Sequence, residues 1–82
     1  MNVKIIATQN CNQRHVLQKR FKKMSVPIIT LFIEENPELI QEFDVTESPN
    51  IVVDGDVVYR AGTGKPLPTI PVLQRLLDKK KT

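Results

Sequence analysis

Eighty-two residues, 40% of them hydrophobic, make one domain spanning residues 1–82, with a thin core, because a chain this short buries only about 60% of its unfolded surface. One Cys and one His exclude an internal disulfide, a multi-cysteine zinc site and a His-rich site, so no metal is expected. The net charge of +3 hides a segregation: residues 1–27 carry bases and no acid, residues 34–56 carry acids and no base, and the remainder is basic again.

Residues 2–7 are a short apolar run. As a strand they place Val3, Ile5 and Ala7 on one face and Ile6 on the other, the pattern of a strand covered on both sides. From Cys11 the period changes. Val16, Leu17, Phe21 and Met24 recur at helical spacing, which predicts a helix from Asn12 to Met24 ended by Val26-Pro27. Residues 28–33 are branched and aromatic and too few for a core helix, so they read as a second strand. A strand, a helix and a strand in succession imply a parallel pair with a right-handed crossover.

Asn36 then offers an N-cap, Pro37 a first helical position and Glu38 a favourable first-turn charge. Leu39, Ile40 and Phe43 supply the apolar stripe of a short second helix. Residues 49–60 read as a hairpin: Pro49 begins its first strand, where a missing N–H is tolerated, and Asp54-Gly55 suits a turn needing positive φ. After a loop at residues 61–68, Thr69 caps a last helix with Pro71 in its first turn. Ile70, Leu73, Leu76 and Leu77 form its stripe, and Lys79, Lys80 and Lys81 complement its negative end. The order is β-α-β-α-β-β-α, an α/β domain.

Cys11 lies between a strand and a helix. Unpaired amides at a helix start favour an anionic sulfur, and Arg14, permanently charged and within one turn, is expected to tune the thiolate further, with His15 beside it. His15 is a weaker candidate, for a general base. Gly62-Thr63-Gly64-Lys65 lacks the spacing of a phosphate-binding loop. Asp54 and Asp56 are explained by turn chemistry. The bases Lys19, Arg20, Lys22 and Lys23 suit phosphates, but no base-reading motif accompanies them and the acidic middle third opposes them. A small basic nucleic-acid-associated protein is therefore kept only as an alternative, and nucleic acid is not the expected partner. The start of the sequence lacks an apolar leader core and no run reaches membrane-spanning length, so the expected setting is cytoplasmic, without a membrane partner.

The block from Ile33 to Val45, then Ser48-Pro49, then Ile51 to Gly55 resembles the thioredoxin-like superfamily, especially small glutaredoxin-like and NrdH-like redoxins. The resemblance runs from Val3 to Leu77. It implies a four-stranded mixed sheet of order 2-1-3-4, with helices 1 and 3 on one face and helix 2 on the other. The family's Cys-x-x-Cys motif falls on Cys11-Asn12-Gln13-Arg14, so Cys11 matches the nucleophile and Arg14 replaces the resolving cysteine. Pro49 matches the cis-proline facing the thiol, and the Ser48 backbone is then placed to pair with an extended thiol-bearing substrate. The sequence departs from the Cys-Gly-Phe-Ser motif of cluster-holding monothiol glutaredoxins and lacks the family's usual glutathione-binding block, although Lys65 is placed to meet a carboxylate. An arsenate-reductase-like reading needs arginines and an inserted helical region that this chain lacks. The implied activity is monothiol exchange or deglutathionylation through Cys11 on protein thiols or disulfides, with glutathione as a candidate co-substrate and no resident cofactor. The competing reading is a redox-inactive module that binds a protein partner.

Overall fold

The computed structural model describes residues 1–62 and 64–81, and the backbone alone at Lys81. Thr63 of the predicted loop, the side-chain role expected of Lys81, and Thr82 lie outside the described residues. The elements run β1 (Val3–Ala7), α1 (Asn12–Lys23), β2 (Ile29–Phe32), α2 (Leu39–Phe43), β3 (Asn50–Val53), β4 (Asp56–Arg60) and α3 (Ile70–Lys81). They form a four-stranded sheet of order β2-β1-β3-β4. β1 pairs parallel with β2 and antiparallel with β3, and β3 pairs antiparallel with β4. Among the described residues no helix is long and apolar enough to cross a membrane.

Two cores follow from strand alternation. Val3, Ile5, Ala7, Ile51 and Val53 pack with Leu17 and Phe21 of α1 and Leu73 and Leu77 of α3. Ile6 and Val52 face the other way, against Leu39, Val45 and Phe43. Helices 1 and 3 thus share one face of the sheet and α2 covers the other. The hairpin turn has Asp54 at φ 50° and Gly55 at φ 85°, the two positive values a two-residue turn requires. Asp54 also ties down the start of the chain. Its carboxylate accepts the Asn2 N–H at 2.7 Å, and its own N–H donates to the Asn2 carbonyl.

Three local expectations are corrected. In α1 the buried stripe is Arg14, Leu17 and Phe21, while Val16 is 39% exposed; a buried arginine is invisible to apolar periodicity. The same helix ends at Lys23 with Met24 as its cap, within one residue of the expected end, but Pro27 is not what ends it. Ser25 turns left-handed at φ 57°, and the N–H groups of Ser25 and Val26 close on the Lys22 and Phe21 carbonyls, which satisfies the free carbonyls of the last turn. In the third case Asn36 does not cap α2. Its amide donates back to the Phe32 carbonyl at 3.1 Å and closes the turn after β2, so the helix begins only at Leu39. With five residues it buries Leu39 and leaves Ile40 40% exposed.

Asn50 is fully buried. Its Nδ2 donates to the Ile6 carbonyl at 3.1 Å and to the Glu47 carbonyl, and its Oδ1 accepts the Ala61 N–H at 3.2 Å. Asn50→Leu keeps the bulk but leaves three backbone groups without these partners. The expected loss is roughly 2–4 kcal/mol, read as a lower urea midpoint at unchanged slope; a loss under about 1 kcal/mol would show that water replaces the amide.

Candidate functional site

Antiparallel pairing of Ile6 with Asn50 brings the end of β1 beside the start of β3. The residues after β1 lead to Cys11, and those before β3 are Glu47, Ser48 and Pro49. The Ser48–Pro49 peptide is cis, and Pro49 is buried. Ser48 Oγ accepts the Thr8 N–H at 3.1 Å, joining the two segments directly.

Cys11 is the N-cap residue of α1, with extended backbone (φ −131°, ψ 104°) and no side-chain capping hydrogen bond. Its thiol is free and partly exposed. The first turn of α1 holds no acid, so the positive partial charge of its amides is not offset from within that turn.

Arg14 runs inward. Its guanidinium donates to the Gln9 carbonyl at 3.2 Å and to Gln18 Oε1 at 3.4 Å, meets His15 Nε2 at 3.3 Å and lies 4.9 Å from the centre of the Phe32 ring. Its Nε is buried without a partner. Among the described residues none of these hydrogen bonds reaches the Cys11 sulfur; the guanidinium holds the loop that carries it. Gln9 is held from its other side as well, its N–H donating to the Glu34 carboxylate at 2.9 Å. His15 is exposed.

Beside Ser48 opens a cavity of about 320 Å³ lined by Gln13, Glu47, Ser48, Tyr59 and Lys65, with Ala61, Gly62 and Gly64. Gln13 connects it to the first turn of α1, two residues after Cys11. Lys65 Nζ donates to the Arg60 carbonyl at 3.1 Å and stands 5.6 Å from the Tyr59 ring centre. A Cβ added to Gly62 would lie 3.7 Å from Glu47 Oε2 and 3.6 Å from Lys65 Cδ, so a carboxylate and an ammonium stem flank the loop. Of the candidates read from sequence, Cys11, Ser48 and Pro49 follow or precede strand ends at the same end of the sheet, Lys65 lines the cavity beside Ser48, and Arg14 and His15 are in contact with each other. Sequence reasoning missed Asn50, Gln13, Glu47 and Tyr59. Only Asn50 carried a signal, a poor strand former placed directly after proline in an otherwise apolar strand.

No protein-family model and no curated protein matches this sequence. Solved structures do. Thioredoxin 1 from the thermophilic eubacterium Thermosipho africanus TCF52B superposes with a TM-score of 0.69 over 100% of both chains at 16% identity. A malarial protein superposes with a TM-score of 0.64 over 96% of this chain and 97% of its own, at 15% identity. The chain therefore has a thioredoxin-like fold, and at these identities the likeness is one of fold.

Tyr59 is the only tyrosine, and the chain has no Trp, so phenolate absorbance reports it alone. Burial raises its ionisation above the ordinary 10.0. The unfolded chain then gives up this proton first, and stability falls as pH rises from about 10 through the folded-state value. A spectrophotometric titration is expected to place the folded midpoint above that in urea; equal midpoints would show that the phenol is solvated.

Proposed function

We propose that this protein carries out thiol–disulfide exchange through Cys11 alone, with deglutathionylation as the favoured form. The observation that carries the reading is the position of Cys11: a partly exposed, uncapped thiol at a helix start, on the same end of the sheet as the cis Ser48–Pro49 segment. The thioredoxin-like fold supports a redox setting for it.

In the first step the Cys11 thiolate attacks one sulfur of a substrate disulfide. A Cys11–substrate S–S bond forms, the substrate S–S bond breaks, and the electron pair leaves on the departing thiolate. With no second cysteine in the chain, an external thiol such as glutathione attacks the mixed disulfide, which restores the Cys11 thiolate and oxidises that thiol into a new disulfide. No electrons are needed beyond those the external thiol supplies. The Ser48 backbone pairs with an extended substrate segment. The cavity beside it takes the polar end of the co-substrate, with Lys65 meeting a carboxylate. Arg14 serves as a positioning residue by fixing the Gln9 carbonyl, and His15 keeps a minor role through its contact with Arg14.

Incubation with a glutathionylated peptide, followed by intact-mass analysis, is expected to trap glutathione on Cys11, and added glutathione is expected to clear it. Cys11→Ser should abolish the adduct. Arg14→Gln should slow its formation on the order of 10-fold, since small misplacements of a reacting group carry such costs. A folded wild-type protein that forms no adduct with this or any low-molecular-weight disulfide would sink the mechanism and leave protein binding without exchange.

A further inference from the structure

The charge segregation read along the sequence becomes spatial in the fold. α1 and α3 lie on the same side of the sheet, on one shared core, and are joined where Arg20 donates to the Pro68 carbonyl at 2.6 Å. Their exposed residues include Lys19, Lys22 and Lys23 on α1 and Arg75 on α3. α1 contains no acid, and the one acid of α3, Asp78, accepts a hydrogen bond from Gln74. Among the described residues none of those four cations has a side-chain hydrogen bond or an ion pair, and the salt bridge found is Lys80 with Asp56. Of the acids of the middle third, Glu38 and Glu42 sit at α2 on the far side of the sheet, Glu34 and Glu35 bond Gln9 before α1, and Asp56 pairs with Lys80 of α3. Among the described residues none of these acids is paired with Lys19, Lys22, Lys23 or Arg75, so the objection raised by the sequence, that acids would cancel the bases, does not hold at these four cations.

We propose that the α1–α3 face binds the phosphate backbone of double-stranded nucleic acid without reading its sequence. Three observations select that partner. The face is polar and basic; its large exposed apolar side chains are Val16 and Val72, each 39% exposed, and it has no exposed aromatic. Protein-binding patches depend on buried aromatic or apolar anchors, whereas nucleic-acid interfaces are more polar and far more positive. Single strands are held by stacking on aromatic side chains, and the Phe and Tyr side chains here are buried or half-buried. A 12-residue helix runs about 18 Å, a length over which a duplex presents about ten phosphate charges. The bases are lysines and one arginine carried on helix surfaces, with no constellation for reading base edges.

The test is fluorescence anisotropy with the full chain and a labelled mixed-sequence DNA duplex. Four phosphate contacts predict a log–log salt slope near −3.6 and a loss of affinity on the order of 100-fold between 50 and 200 mM salt. Lys19→Gln/Lys23→Gln/Arg75→Gln should reduce affinity at 50 mM salt at least 10-fold and flatten the slope to roughly −1, while circular dichroism confirms the fold. Glu38→Gln/Glu42→Gln should not weaken binding, and Cys11→Ser should leave it unchanged, which separates this face from the thiol chemistry. The proposal is overturned by the absence of saturable binding at 50 mM salt, by equal affinity in the triple variant, or by polyglutamate of matched charge competing as well as the duplex, which would assign the face to acidic polypeptides.

Discussion

The arrangement at the thiol end of the molecule depends on one buried amide. Proline has no N–H, so the segment turning from Glu47 through Pro49 into β3 cannot secure itself by strand pairing alone. Asn50 supplies the missing connections. It links the Glu47 carbonyl, the Ile6 carbonyl of β1 and the Ala61 N–H after β4, so three segments share one side chain at zero exposure. A polar group at such a site is tolerated because its donor and acceptor atoms are both satisfied. Its effect reaches the thiol: fixing the Glu47–Pro49 segment against β1 sets Ser48 within hydrogen-bonding distance of Thr8, three residues before Cys11.

Signals that act locally were legible in the sequence. Asp54-Gly55 announced the hairpin because positive φ at two successive residues is a local demand. The two faces of β1 were readable because strand alternation has a strict period, and Ile6 duly falls in the second core. Strand order was different: the residues alone implied only the first parallel pair, and the resemblance implied the rest. What stayed hidden involved polar side chains bonding at a distance. Asn36 looks like a helix cap in isolation, yet its amide was committed to the Phe32 carbonyl. Arg14 looks like a solvent residue, yet it occupies the buried stripe that Val16 was expected to fill. The position of Cys11 could be read from the strand-to-helix boundary; the cavity beside Ser48 could not, because its walls come from three separated stretches of the chain.

The same topology sorts the charges. The basic first third folds into β1 and α1, and Glu38 and Glu42 of the acidic segment that follows sit at α2 on the far side of the sheet, while its Asp56 pairs with Lys80 of α3. The last helix then returns beside α1, so its bases add to those already there. A chain of small net charge thereby gathers unpaired cations on one face, and the field near that face departs from what the net value conveys.

Arg14 shows how the thiol-bearing loop is held without help from the thiol. Burying a guanidinium is costly, and its Nε is left without a partner. The offset is a relay across three elements. Gln18 donates to Thr30 Oγ1 of β2 at 2.9 Å and accepts from Arg14, and Arg14 in turn donates to the Gln9 carbonyl. Phe32, also in β2, stacks beneath the guanidinium. The Gln9 N–H is anchored to Glu34 beyond the same strand, and Thr8 to Ser48 on the opposite flank of β1. The loop before Cys11 is therefore braced from both neighbouring strands. A lysine could not reproduce this brace, because its single nitrogen lacks the planar fork that reaches two acceptors while lying flat on a ring. The position that places a charge out of water is thus the one where guanidinium geometry is needed to set the direction from which α1, and the sulfur at its start, leaves the sheet.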